Sequence, residues 1–362
     1  MKIGIHNSTG GHIGGSGSQI VVLAQYLGQF SQVDILHHGN LDREKMAEYY
    51  GLSLSSSVNL RYITPQKRDY VGNYMKEIEL DARLTSPYDT FISFTHGIPL
   101  FNAAPRGILS VLFPAITIPD SRLLHWHQHI SNYQNRVANS NFTSYWAKRR
   151  WGIDCHVIYP GVGTSFREDN KLTAILSVGR FAVDGHLKNQ LEMIKAFQKL
   201  KETTLSDWNY FCIGGLDEES EGERKYFDSA CRLATGCKVE VIANVTRKDI
   251  ERFYEQSAVF WHAAGYGIAE EINPYLTEHF GIVTVEAMAA GCVPIVINCG
   301  GQPEIVQHGV NGFLWNTIEE LMEYTNLVAR DARLLRQLSE AARERARFFS
   351  LDKMLTRFRD LI

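Results

Sequence analysis

Short apolar runs alternate along the whole chain with segments whose apolar residues recur every three or four positions. The runs KIGIH, QVDIL, DTFISF, ILSVLF and VANS read as strands. In SQIVVLAQYLGQF, by contrast, Ile20, Leu23, Ala24 and Leu27 fall on one helical face. FTSYWAKRRW reads as a further helix, and CHVIYP as a strand ending at Pro160. The polar, glycine-containing stretch PGVGTSFREDNK has the character of a linker. Beyond it the alternation restarts with AILSVG and then LKNQLEMIKAFQKL, whose Leu187, Leu191, Ile194 and Phe197 share a face. Strands follow at WNYFCIGG, KVEVIA, AVFWHA and VPIVI, and the chain from about Thr317 to Ile362 is charged and helical, with a break at Ser350. Alternating strand and helix predicts an α/β fold with parallel sheets. The restart predicts two Rossmann-like domains, residues 1–160 and 165–345, facing a central cleft.

Composition narrows the class. A chain of 362 residues fits two domains at roughly 100–200 residues each. Hydrophobic content of 44% with 21% charged residues excludes disordered and collagen-like chains. A net charge of −3 excludes a global nucleic-acid footprint, so no nucleic-acid partner is expected. The cysteines form no C-x-x-C and no framework spacing, which suits a reducing compartment. The opening MKIGIHNSTGG lacks the apolar core of a signal peptide, and no run reaches the ~18 apolar residues of a membrane span. The expected location is cytoplasmic.

Three constellations carry the candidate chemistry. Gly10, Gly11, Gly14, Gly15 and Gly17 crowd the turn between the first strand and its helix. Glycines there let backbone N–H groups approach an anion at a helix N-terminus; a tight, closely packed turn is the alternative. The dinucleotide fingerprint fails, because its third glycine would stand where Ile20 does. In SVGRFAVDGHLKN, Arg180 lies just past a strand end and Lys188 at the next helix start, on the side where open α/β sheets bind ligands. A planar guanidinium and a compact ammonium can together hold a diphosphate; ordinary surface charges are the alternative. In TEHFGIVTVEAMAAG, Glu278 and Glu286 bracket Phe280, Gly281 and Ile282. Gly281 leads into a helix, so N–H groups near 280–283 can grip a phosphate or sugar hydroxyl. Glu286 is placed to accept from ribose hydroxyls and Glu278 to meet a transferred group. Two surface glutamates, one well placed on a helix dipole, are the other reading.

Taken in order, these motifs resemble a known family. G-G-x-x-x-x-I-x-x-L-A-x-x-L at Gly14–Leu27, A-N-S-N-F-T at Ala138–Thr143, I-Y-P at Ile158–Pro160 and S-V-G-R-F with Lys188 all take part. With E-H-F-G-I-x-x-x-E-A-M-A-A-G, P-x-V and G-G-x-x-E-I-V, they resemble the retaining family 4 glycosyltransferases of the GT-B fold. The resemblance implies a metal-independent hexosyltransferase with no cofactor beyond its nucleotide-sugar donor, GDP-mannose or a UDP-sugar. It would move a hexose or N-acetylhexosamine to a hydroxyl of a glycan or lipid-linked acceptor, as in polysaccharide biosynthesis. It also implies that Arg180, Lys188 and Gly15 flank the donor diphosphate, that Glu286 binds the donor ribose, and that Glu278 contacts the donor sugar. The acceptor would bind the N-terminal domain and the donor the C-terminal one, with the last helix, 346–362, returning to the N-terminal domain. The N-P-x-x-x-E-H-F-G-I stretch looks most like the mannosyltransferase branch. A non-catalytic nucleotide-sugar or glycan-binding protein, and a sugar-nucleotide epimerase, are the alternatives.

One position departs from the family. Many relatives carry a histidine just before an aromatic-proline pair, and here Leu112 precedes Phe113-Pro114. His96, after the strand FISF, is the candidate to take that catalytic role; a histidine that merely caps its loop is the alternative. His125, His127 and His129 have no acidic or cysteine companion and read as acceptor or surface histidines rather than zinc ligands. Lys148, Arg149 and Arg150, flanked by Trp146 and Trp151, suit either anionic lipid headgroups at the inner membrane face or a solvated helix face.

Overall fold

Thr90–Thr95 and Ser257–His262 are strands buried along their full length, as expected where helices cover both faces of a parallel sheet. A computed structural model describes the chain except for residues 9–14, 40–41, 65–73, 116–122, 168–170, 184 and 186. Most of the glycine loop between the first strand and helix, including Gly10, Gly11 and Gly14, therefore lies outside the described residues. The chain divides into two units, one of Met1–Gly161 with Asp352–Ile362 and the other of Val162–Leu351.

In the first unit the strands are β1 (Lys2–Asn7), β2 (Gln32–His37), β3 (Val58–Tyr62), β4 (Thr90–Thr95), β5 (Arg106–Val111), β6 (Asn135–Ala138) and β7 (His156–Val157). Its helices are α1 (Gly15–Leu27), α2 (Arg43–Tyr50), α3 (Tyr74–Thr85), α4 (Leu123–Ser131) and α5 (Asn141–Trp151). Among the described residues the strands pair in parallel in the order β3-β2-β1-β4-β5-β6-β7. Helix α5 shows why its boundaries fall where they do. The Ser140 side chain accepts from Thr143 N at its start, and Gly152, with φ of 67°, closes its end.

The second unit contains β8 (Leu172–Val178), α6 (Gln190–Lys201), β9 (Asn209–Gly214), α7 (Glu221–Ala234), β10 (Val239–Ala243), α8 (Arg247–Gln256) and β11 (Ser257–His262). It continues with α9 (Ile282–Ala289), β12 (Val293–Ile297), α10 (Gln302–Ile305), β13 (Phe313–Trp315), α11 (Ile318–Arg330) and α12 (Ala332–Arg347). Its sheet is parallel, in the order β10-β9-β8-β11-β12-β13. The core on this sheet joins Ile175, Tyr210, Trp261 and Ile295 to Phe197 and Trp315.

The last helix, α13 (Leu351–Arg359), belongs to the first unit from Asp352 onward. Phe358 packs against Phe94 with ring centroids 6.0 Å apart, and Gly161 N donates to Met354 Sδ at 3.2 Å. The return was expected from residue 346. It starts later because Ala346 is buried with α12, and Phe349 packs on Phe280 in the second unit.

Candidate functional site

In an open α/β sheet, neighbouring connections diverge where strand order reverses, and a crevice opens at the carboxyl ends of those two strands. In the second unit the reversal lies between β8 and β11. Val178 ends β8, with Gly179 and Arg180 following, and His262 ends β11. The stem of Lys188 lies over Gly179, where a Cβ would stand 2.7 Å from Lys188 Cγ. Asn189 Nδ2 donates to Ala263 O at 2.8 Å and so ties the Lys188 segment to the exit of β11.

Lys188 Nζ donates to Glu278 Oε2 at 2.5 Å, with both side chains about one-fifth exposed. His262 Nε2 lies 3.1 Å from the same oxygen, and Gln302 Nε2 lies 3.5 Å from His262 Nδ1. His262 is buried. Burial holds its pKa below the ordinary histidine value against the pull of Glu278, and the Lys188 charge adds to the lowering. The imidazole is therefore neutral. Glu278 itself is held from below, since Gly301 N donates to its carbonyl at 2.7 Å. Gly281 has φ of 114°, and a Cβ there would stand 2.4 Å from Gln302 Nε2. Glycine is required at that position on both counts.

Glu286 lies within α9 and is paired differently. Arg247 Nη1 donates to Oε1 at 2.7 Å and Tyr254 OH to Oε2 at 3.1 Å. Burial alone would lower the Arg247 pKa, but the Glu286 charge beside it raises it instead. Burial and the Glu286 carboxylate push the Tyr254 phenol well above its ordinary value, so it donates at neutral pH.

The sequence-derived candidates thus separate. Lys188 and Glu278 meet directly. Arg180 is exposed at the end of β8 and has no ion-pair partner among the described residues. Phe280 buries its side chain against Phe349, and half-buried Ile282 opens α9. Gly15 and His96 belong to the first unit. Gly15 is exposed at the start of α1, and half-buried His96 follows β4, its carbonyl accepting from Ala115 N at 2.9 Å. Leu112 is buried, and its carbonyl accepts from Asn139 Nδ2 at 3.0 Å.

Other residues were not anticipated. His262 closes an apolar run, so its position at a strand's carboxyl end was the one signal available. Gln302, Arg247 and Tyr254 gave none. At the β1/β4 reversal in the first unit, His6 Nδ1 lies 3.2 Å from Ser93 Oγ, and His6 Nε2 lies 3.2 Å from His38 Nε2. On α4, His129 is buried near Tyr74 while His127 is exposed, and no metal-holding group of three or more His, Cys, Asp or Glu occurs among the described residues. The α5 cations are already engaged. Lys148 pairs with Asp154, Arg149 lies over the Tyr145 and Trp146 rings, and Arg150 donates to the Pro114 carbonyl. No helix among the described residues is long and apolar enough to cross a membrane.

Known proteins share the sequence pattern and the fold of this chain. The chain is similar to a GDP-Man:Man(3)GlcNAc(2)-PP-Dol alpha-1,2-mannosyltransferase of Dictyostelium discoideum, at 25% identity over 58% of this chain and 42% of that one. A human alpha-1,3/1,6-mannosyltransferase is 26% identical over 49% of this chain and 45% of its own. A lipopolysaccharide 1,2-N-acetylglucosaminetransferase of Salmonella typhimurium is 30% identical over 39% and 34%. The chain therefore spans less than half the length of these curated relatives. Among solved structures, a glycosyltransferase of Rickettsia africae superposes with a TM-score of 0.76 at 18% identity, covering 99% of this chain and 97% of that one. HepE of Anabaena, solved with UDP and glucose, gives 0.74 at 17% identity over 99% and 98%. The expected fold class, two parallel-sheet Rossmann-like domains of the GT-B type, is the one observed. The family model described as glycosyl transferases group 1 matches residues 164–345, half of the chain. The chain belongs to the glycosyl transferases group 1.

Proposed function

We propose that the chain is a retaining hexosyltransferase, moving a hexose or N-acetylhexosamine from a nucleotide-diphosphate sugar to a hydroxyl of a glycan or lipid-linked acceptor. The observation that carries this reading is the cluster of Lys188, Glu278 and neutral His262 at the β8/β11 reversal. A cation for phosphate and a carboxylate for sugar hydroxyls stand side by side there. One Lys188 N–H goes to Glu278, and the others can turn to the donor diphosphate together with the Arg180 guanidinium, which has no ion-pair partner among the described residues. Backbone N–H groups at Gly281, Ile282 and the start of α9 add positive potential, and Glu286 accepts from the ribose. In the reaction the bond from the anomeric carbon to the diphosphate oxygen breaks and a bond to the acceptor oxygen forms. The hydroxyl proton leaves with the diphosphate. Fixed positive charge on that leaving group lowers the barrier and takes the place of a divalent metal.

The mannosyltransferases among the relatives support GDP-mannose as the first donor to try. The N-acetylglucosaminetransferase and the UDP-bound neighbour support UDP-sugars as the second. A thermal-shift screen of GDP-, UDP- and ADP-sugars tests donor binding, because a ligand raises apparent stability by mass action. Free nucleotide should then be released only when an acceptor is supplied, and release should persist in EDTA. Leu112 in place of the family histidine favours a second reading, a binding protein without turnover. Donor binding with no release under any acceptor would establish that reading instead. If the acceptor is lipid-linked, Lys148, Arg149 and Arg150 are the cations to meet anionic headgroups, which flotation with anionic vesicles would detect.

A further inference from the structure

We infer that His262 is a positioning residue for transfer, holding the Glu278 carboxylate in the orientation in which it meets the donor sugar. The inference rests on the proposed role of Glu278 and adds the group that makes that role possible.

A carboxylate on a loop can rotate about its last torsion, and one flexible ammonium does little to stop it. Lys188 is such a group, on a long stem beside Glu278. It is also the group claimed by the diphosphate, so donor binding draws it partly away. His262 is different. Its backbone is part of fully buried β11, its side chain is 3% exposed, and its Nε2 reaches Glu278 Oε2 at 3.1 Å. The tautomer follows from the next contact. Gln302 Nε2 donates toward His262 Nδ1 at 3.5 Å, so Nδ1 accepts and Nε2 carries the proton given to Glu278. Gln302 is itself fully buried and packs against Gly281 at the start of α9. A rigid chain thus runs from the helix start through Gln302 and His262 to the carboxylate. Both donors, Lys188 and His262, meet Oε2, and together they set the orientation of the carboxylate. Burial keeps the imidazole neutral, so it orients Glu278 without cancelling its charge.

The test compares ligands with and without the sugar. His262→Leu removes the donor; His262→Gln places an amide N–H where Nε2 stood. Calorimetry would measure GDP against GDP-mannose, and UDP against UDP-glucose, alongside the turnover number for transfer. His262→Leu should bind the nucleoside diphosphate like the wild type and lose about tenfold or more in nucleotide-sugar affinity or turnover, the scale of one charge-assisted hydrogen bond. His262→Gln should recover most of that loss. In a Glu278→Gln background, His262→Leu should add nothing. Should His262→Leu fail to fold, His262→Asn, which is polar but too short to reach Glu278, takes its place. Equal losses for diphosphate and nucleotide-sugar, or a Gln variant no better than Leu, would overturn the inference. Absence of any nucleotide binding by the wild type would overturn the reading of the site, and the inference with it.

Discussion

Glu286 is asked to bind ribose while already holding Arg247 and Tyr254, and that double duty can be measured. Glu286→Gln keeps an acceptor for Tyr254 OH but removes the charge facing Arg247. The Arg247 side chain is 29% exposed and that of Glu286 12%, so the pair is neither a surface pair nor a fully dry one. An exposed pair is worth about 0–1 kcal/mol, whereas orphaning one partner of a buried pair costs roughly 3–5 kcal/mol. Arg247 Nε retains Glu251 at 2.9 Å, so the cost should fall between these, at about 1.5–3 kcal/mol. For a unit of this size, about 2–4 °C of melting temperature per kcal/mol gives a drop of about 3–12 °C. Arg247→Leu should cost a similar amount. The double variant should be more stable than the sum of the singles predicts, by about 1 kcal/mol or more, because it leaves neither charge alone. Calorimetric melting of the four proteins completes the cycle. Additivity within about 0.5 kcal/mol would mean that the pair does not hold Glu286, and that the ribose role cannot be argued from it.

Arg180→Ala should weaken nucleotide binding about tenfold or more by calorimetry while leaving the melting temperature unchanged, since the residue is exposed and has no ion-pair partner among the described residues. His96→Ala should lower turnover by ~10²-fold and spare nucleotide affinity, as expected of a contact made mainly in the transition state; an unchanged turnover number returns His96 to the loop it sits on. His262 has a folded pKa below the ordinary 6.5. The unfolded chain therefore takes up the proton first, and stability should be full above 6.5 and fall as pH drops below it toward the folded value. Glu278, Lys188 and Gln302 face the ring throughout. Melting against pH for wild type and His262→Gln should show that this component disappears in the variant.

The sheets were legible because strands covered on both faces must be nearly continuous apolar runs, as SAVFWH and TFISFT are. The boundary at Asp331 was not, because helical periodicity continues across it from Val328 to Leu334. Its one mark is an aspartate whose carboxylate caps α12 through Arg333 N and Leu334 N, both at 2.9 Å. Lys188 and Glu278 stood out because glycines and strand ends punctuate the segments that carry them. Their contact joins residues 90 apart and depends on β8 lying beside β11, which no local pattern encodes. Arg247 and Tyr254 sit on a charged amphipathic helix that looks like any solvated face. Their function lies in what α9 brings to them.

The assignment of α13 to the first unit has a consequence for how the chain matures. The seven described strands of that unit leave the ribosome before any of Val162–Leu351, yet Phe358 and Met354, which close over Phe94 and Gly161, follow only after all of it. The second unit is one uninterrupted segment and can fold as it emerges, domain by domain in the usual order. The first must wait, its apolar edge open, until the chain comes back. Nascent chains released at about residue 350 should therefore carry a finished second unit and a first unit that binds chaperones. Closure of the first unit thus waits on one short helix of nine residues.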